Sequence, residues 1–214
     1  MPRKIIPASA DYPYHVTARS LNRSPFPVAI EAMWELMQDY LFLTSHLYRL
    51  QIQSFVLMPN HFHLLVRTPD ANIGAAMNYF MRESARETSR LSLRINQTYG
   101  ARHHKTLVSD ERYFFDVYKY VYRNPVRAGL VGRVEEYKYS TLYGLMGLAH
   151  LAIPVVEDTI LFNEEFDEDT LRWLNSEPGE GLEDEIRQGL RHAEFALNTP
   201  RKTNRASLLA TQRL

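Results

Sequence analysis

Apolar residues over the first 125 positions switch repeatedly between a spacing of two and a spacing of three to four, and the switches mark out strands and helices. The run YHVTARS, residues 14–20, is aromatic and β-branched with apolar and polar positions alternating; it predicts a first strand that ends in a basic loop, RSLNRSPFP. After Pro27 the residues Ile30, Met33, Trp34, Met37 and Leu41 fall on one helical stripe, so a first helix is expected to run to about Leu50. IQSFVLMPNHFHLLVRT divides into two short strands on either side of a Pro-Asn turn, a β-hairpin. A second helical pattern starts at Ile73 and is expected to reach about Thr98, with Gly100 placed to end it. HKTLVS reads as a fourth strand, and DERYFFDVYKYVYRNP as a third helix, capped by Asp110 and stopped by Pro125, which lacks an N–H.

The order β-α-β-β-α-β followed by a helix is that of a ferredoxin-like α+β fold, an antiparallel sheet with helices on one face. Beyond about residue 150 the pattern weakens. An acidic stretch NEEFDED, a breaker SEPGEG, one expected helix in LEDEIRQGLRHAEFAL and a basic arm TPRKTNRASLLATQRL, expected to be mobile, follow. The sequence thus divides into a domain over 1–150 and a helical C-terminal extension over 151–214.

Composition sharpens this division. Net charge is zero over 214 residues, yet residues 1–150 carry 18 Lys and Arg against 12 Asp and Glu, and residues 151–214 carry 7 against 13. A basic working half with an acidic extension suggests an anionic partner for the first. There is no cysteine, so disulfides, thiolate zinc sites and iron-sulfur clusters are excluded, and any metal must be held by His, Asp, Glu or an amide. The start MPRKIIPASADYP has neither the apolar run of a signal peptide nor that of a membrane span. A cytoplasmic protein with no membrane partner is expected.

The hairpin raises the chemical question. In LMPNHFHLLVRTP the two histidines stand one residue apart, so in a strand His61 and His63 project from the same side while Phe62 and Leu64 enter the opposite layer. Two imidazoles aimed at one point suit a divalent ion; a hydrogen-bonded pair of strand-end histidines fits the same pattern. A second constellation lies in YKYVYRNPVRAGLV, where Tyr120 stands one helical turn before Asn124, while Tyr118 and Tyr122 lie on other faces and read as core residues.

MPNHFHLLV followed by YVYRNPVRAGLV resembles the IS200-type, single-tyrosine HUH transposases, and in detail the REP-associated tyrosine transposases of bacteria. YHVTARS, KTLVSDERY and EEYKYSTLYG extend the resemblance over residues 14–144, 131 of 214 positions. The chain departs from the family in having Ser20 where a Gly is usual and Tyr139 where a Trp is usual. The resemblance implies metal ligation by His61 and His63, with Asn124 as the third ligand, for Mg²⁺ or Mn²⁺. It implies Tyr120 as the nucleophile that cleaves and rejoins single-stranded DNA through a 5′-phosphotyrosine. A nucleoid-associated protein working as a single chain on hairpin DNA is the corresponding expectation. Two alternatives remain: a domesticated protein that binds such hairpins without cutting them, and a metal hydrolase that uses activated water.

DNA binding is expected from the basic half. Arg82, Arg86, Arg90 and Arg94 recur every fourth residue as a stripe suited to phosphates, or else form a solvated face in which Glu83 and Glu87 pair with Arg86 and Arg90. Arg19, Asn22 and Arg23, with Arg3 and Lys4, resemble the region by which relatives read single-stranded DNA beside a hairpin. His103 and His104, being adjacent, point to opposite faces of a strand and read as DNA-facing or unremarkable.

Overall fold

The computed structural model describes residues 8–95, 97–156 and 168–197. Its elements are β1 (Tyr14–Arg19), α1 (Ile30–Tyr48), β2 (Gln51–Met58), β3 (His61–Arg67), α2 (Ile73–Ser92), β4 (His104–Leu107), α3 (Glu111–Arg127), α4 (Thr141–Leu145), α5 (Glu168–Asn175) and α6 (Leu182–Gly189). The four strands form one antiparallel sheet in the order β2-β3-β1-β4, the ferredoxin-like arrangement that the element order implies.

Strand pleating sends alternate residues to two separate layers. Val16, Ala18, Phe62, Leu64 and Val66 pack against Met33, Met37 and Leu41 of α1 and Ala76, Met77 and Phe80 of α2. The opposite face carries Val56, Met58 and Leu65, which pack under α3. The two helices of the β-α-β-β-α-β unit therefore share one face, and the helix that follows it covers the other. A register shift between Ile52 and Ser54 lets Ile52 and Phe55 both serve the α1/α2 layer despite odd spacing.

Helix ends differ from the sequence expectation in two places. α2 stops at Ser92 rather than near Thr98, because Leu93 turns left-handed with φ 54° and its N–H bonds the Ser89 carbonyl. Gly100 has another role: its N–H bonds the Arg19 carbonyl at 3.0 Å, and a Cβ there would stand 3.4 Å from the Ser20 carbonyl oxygen. In α3, Asp110 caps as expected, accepting from the Arg112 N–H at 2.9 Å. Pro125, however, lies inside the helix. The stop comes at Gly129, φ 69°, where Leu130 N–H bonds the Pro125 carbonyl and Gly129 N–H bonds that of Val126, a Schellman motif.

Chain beyond residue 150 joins the same body. Val156 N–H bonds the Ile52 carbonyl at 2.8 Å on the β2 edge, and Glu194 bridges Leu107 on the β4 edge, where Phe195 N–H bonds the Leu107 carbonyl at 2.8 Å. Leu174, Ile186, Leu190 and Phe195 are buried in the layer around α3. The stretch NEEFDED lies mostly, and the basic arm wholly, outside the described residues. No helix among the described residues is long and apolar enough to cross a membrane.

Candidate active site

Strand register brings the paired histidines to the α3 side of the sheet. His61 stands opposite Arg19 of β1 and Met58 of β2, and His63 opposite Thr17 and Val56. Both rings thus share a face with a rigid, doubly paired strand beneath them, and lie 4.9 Å apart.

A third imidazole joins them. His15, on the same face of β1, places Nε2 2.8 Å from Nδ1 of His63, with the two rings stacked 5.1 Å apart. Nδ1 of His61 lies 2.6 Å from Oδ1 of Asn60, in the hairpin turn. Nε2 of His63 is buried and has no hydrogen-bond partner among the described residues. From α3, Tyr120 meets the group edge-on, its ring 5.7 Å from that of His63 and 6.3 Å from that of His15. His63 and Tyr120, far apart in sequence, are therefore neighbours, with His61 on the other side of His63.

Burial sets the electrostatics. It pushes His15 down to about 3 and His61 down to about 4, with the Arg19 guanidinium adding to the effect at His61, and it holds His63 well below its usual value. All three imidazoles are neutral near pH 7 and so carry lone pairs. Burial raises the Tyr120 phenol above its ordinary value, opposed by Arg127, Arg187 and Arg19.

Asn124 lies one turn beyond Tyr120, half-buried. Its Nδ2 donates to the Tyr120 carbonyl at 2.7 Å and lies 3.4 Å from the Val121 carbonyl. The latter is the group that Pro125, without an N–H, cannot serve, which explains how the helix runs through the proline. With Nδ2 so engaged, Oδ1 is the amide's acceptor. Among the described residues no group of three or more His, Cys, Asp or Glu side chains is gathered to hold an ion; a cation here needs an amide oxygen beside the two imidazoles. His61 and His63 thus offer two neutral ring nitrogens, one of them buried and unpaired, whereas the hydrogen bonds of Asn124 among the described residues run to its own helix.

The remaining candidates separate into two regions. Arg19 sits beside His61. Asn22 and Arg23, both with positive φ (56° and 58°), form a tight turn braced on the hairpin through Ser20 N–H to the Asn60 carbonyl (2.9 Å) and Asn60 Nδ2 to the Arg23 carbonyl (2.7 Å), at the rim of the site. Arg82, Arg86 and Arg90 are exposed on α2, across the sheet from the histidines, and Arg94 follows the helix end. Arg90 pairs with Glu87 as a solvated face requires, while Glu83 pairs with Arg82 rather than Arg86. Arg3 and Lys4 lie outside the described residues. His104 bonds the Leu190 carbonyl at 2.9 Å and so docks the C-terminal segment. Lys119 donates to Ser176 Oγ at 2.7 Å and lies over Trp173.

That segment also covers the tyrosine. Tyr120 is 8 % exposed, in a narrow crevice walled by Pro178, Leu182 and Ile186. Around it Glu183 accepts from Arg123 at 2.7 Å and Asp184 from Arg127 at 2.7 Å.

Sequence reasoning missed His15 and Asn60. Only the strand pairing reveals that His15 shares the face of the H-x-H pair, and a Pro-Asn dipeptide between strands marks Asn60 as a turn former and nothing more.

No family model and no curated protein matches the chain. Among solved structures it is similar to a REP-associated tyrosine transposase bound to a REP hairpin, with a TM-score of 0.58 at 14 % identity over 73 % of this chain and 93 % of that one. It is also similar to a candidate transposase from Deinococcus radiodurans R1, with a TM-score of 0.39 at 18 % identity over 56 % of this chain and 95 % of that one, a likeness too slight in shape to carry argument. The chain thus has the α+β fold of a REP-associated tyrosine transposase.

Proposed function

We propose that this chain is a transposase-type DNA strand transferase, cleaving and rejoining single-stranded DNA beside palindromic hairpins through Tyr120. The observation that carries this reading is the meeting of Tyr120 with His63, one imidazole of the H-x-H pair, whose Nε2 is buried and unpaired among the described residues. An unpaired buried polar atom costs about 1–3 kcal/mol, which a cation bound at that nitrogen would offset.

His61, His63 and the Asn124 amide oxygen would hold the cation. Bound there, Mg²⁺ or Mn²⁺ would draw charge from a non-bridging phosphate oxygen and orient phosphorus for in-line attack. Tyr120 Oη then attacks; the Oη–P bond forms as P–O3′ breaks, the phenol loses its proton and the departing 3′-oxygen gains one. The phosphate stays on Tyr120 as a 5′-phosphotyrosine, and attack by another 3′-hydroxyl reverses the step and joins strands. Burial works against a phenolate in the resting protein, so the proton must leave only once the phosphate and its counter-charge are in place. Arg19, paired with His61 across the strands, would meet that phosphate.

A second reading is a protein that holds hairpins without cutting them. It is favoured by the cover over Tyr120, which must yield before a strand can reach the hydroxyl. One assay decides. A hairpin oligonucleotide with single-stranded flanks, incubated with Mn²⁺, is expected to give a denaturation-resistant adduct that Tyr120→Phe abolishes. Tight binding with no adduct supports the second reading; cleavage that survives Tyr120→Phe supports hydrolysis by water and sinks the first.

A further inference from the structure

We propose that Asn60 and His15 are positioning residues that fix His61 and His63 in the same tautomer, with Nδ1 carrying the proton and the Nε2 lone pair left open. This rests on the reading of those histidines as ligands and adds to it the groups that make them so.

For His61 the argument is one of donors and acceptors. The Arg23 carbonyl can only accept, so the atom of Asn60 that lies 2.7 Å from it is the amide nitrogen, and Oδ1 is the atom turned to His61. An amide oxygen has no hydrogen to give. The 2.6 Å contact therefore requires a proton on Nδ1 of His61, and a neutral ring then has its lone pair on Nε2.

For His63 the partner is another imidazole, and two arrangements satisfy the 2.8 Å contact. Donation from His15 would leave a buried Nε2–H on His63 with nothing to accept it. Donation from His63 Nδ1 to His15 Nε2 leaves a lone pair at the same place, which a cation would complete. Either arrangement leaves one buried N–H unpaired, on Nε2 of His63 in the first and on Nδ1 of His15 in the second, so the choice follows from the reading of His63 as a ligand, whose lone pair only the second arrangement frees. His15 is nearly fully buried on a strand paired on both sides, by β3 and β4. It cannot reach a substrate, but it stacks on His63 and takes the edge of Tyr120, and so holds ligand and nucleophile in register. The bracing of Asn60 by Arg23 adds a consequence: the loop after β1 and the orientation of His61 are coupled through one side chain.

The test measures metal and tautomer separately from turnover. Mn²⁺ binding followed by electron paramagnetic resonance is expected to weaken about 10- to 100-fold in His15→Phe and in Asn60→Leu, as for other groups that orient metal-bound histidines. His15→Gln, which can still accept from Nδ1, is expected to restore most of it. Nitrogen-15 NMR of the metal-free wild type, which needs no variant to fold, is expected to show both His61 and His63 protonated at Nδ1. A proton on Nε2 of His63, or His15→Phe binding Mn²⁺ within about twofold of a tightly binding wild type, overturns the positioning role and leaves the active-site reading standing. A wild type that binds no Mn²⁺ overturns the active-site reading itself, and this proposal with it.

Discussion

Replacing Arg123 by Met should unlatch the C-terminal segment from α3. The Arg123 side chain is 10 % exposed, its Nε bonds Glu183 of α6 at 2.7 Å, and one terminal nitrogen bonds the Asn175 carbonyl at 3.0 Å at the end of α5. A single guanidinium thus answers an acidic helix and the carbonyl end of another, where a cation is also favoured by the helix dipole. Removing one member of a buried ion pair costs about 3–5 kcal/mol. Here Glu183 keeps 23 % of its side-chain exposure and Arg127 remains 3.8 Å away, so water and the second arginine recover part of it and about 2–3 kcal/mol is expected. At roughly 2–4 °C per kcal/mol for a chain of this size, the melting temperature should fall by about 4–12 °C. Urea unfolding of Arg123→Met, Glu183→Gln and the double variant, followed by circular dichroism, measures the coupling, expected at about 1–2 kcal/mol. A loss below about 0.5 kcal/mol in Arg123→Met, or additive single effects, would show that this latch does not hold α5 and α6 in place.

Further outcomes follow from the same packing. Tyr122→Phe removes the 2.9 Å bond to Thr141, itself bonded to Phe55 N–H at 3.0 Å; it should cost about 1–2 kcal/mol in urea while leaving the DNA adduct intact, and loss of the adduct with stability unchanged would put the chemistry on Tyr122. Leu174→Ala, at a position fully buried beside α3, should destabilise by about 2–5 kcal/mol; a change under about 1 kcal/mol would mean that α5 is not part of the core. In EDTA, stability should fall as pH drops below about 6.5, because burial holds His15 and His61 down to about 3 and 4. The unfolded chain then binds more protons than the folded one, at up to about 1.4 kcal/mol per pH unit for each imidazole. Equal urea midpoints at pH 7.5 and 5.0 would contradict that burial.

How much of this was legible depends on the range of the interaction involved. Period-two and helical spacings are local, and β1, the hairpin and the starts of α1, α2 and α3 followed from them. The H-x-H geometry was legible for the same reason: two side chains two apart in a strand share a face wherever the strand goes. His15 was not, since its partnership with His63 depends on a strand register that no local pattern states. The end of α2 was missed because Leu93 carries no preference for a left-handed turn. Pro125 misled because the side chain of Asn124, the residue before it, occupies the backbone carbonyl that the ring leaves unserved. The stripe of arginines was correctly periodic, yet periodicity says nothing of which side of the sheet a helix takes.

The place of the C-terminal segment can be argued from α3 alone. Residues Val117 to Arg123 are buried without a break, and a helix buried all the way round cannot be satisfied by one sheet, which covers a single side. The run VYKYVYR therefore demands a second cover, supplied by Leu174, Ile186 and Leu190. The same cover extends over Tyr120, because it lies within that run. Tyr120 lines a narrow crevice between α3 and α6 together with Arg123 and Glu183, next to a cleft edged by Arg123, Arg127, Glu183 and Asp184. A phosphate entering there would meet the carboxylates already paired with those arginines and must replace them. On the proposed reading, a strand brought to Tyr120 and the latch would compete for the same arginines, and salt, which screens the ion pairs, should loosen the cover.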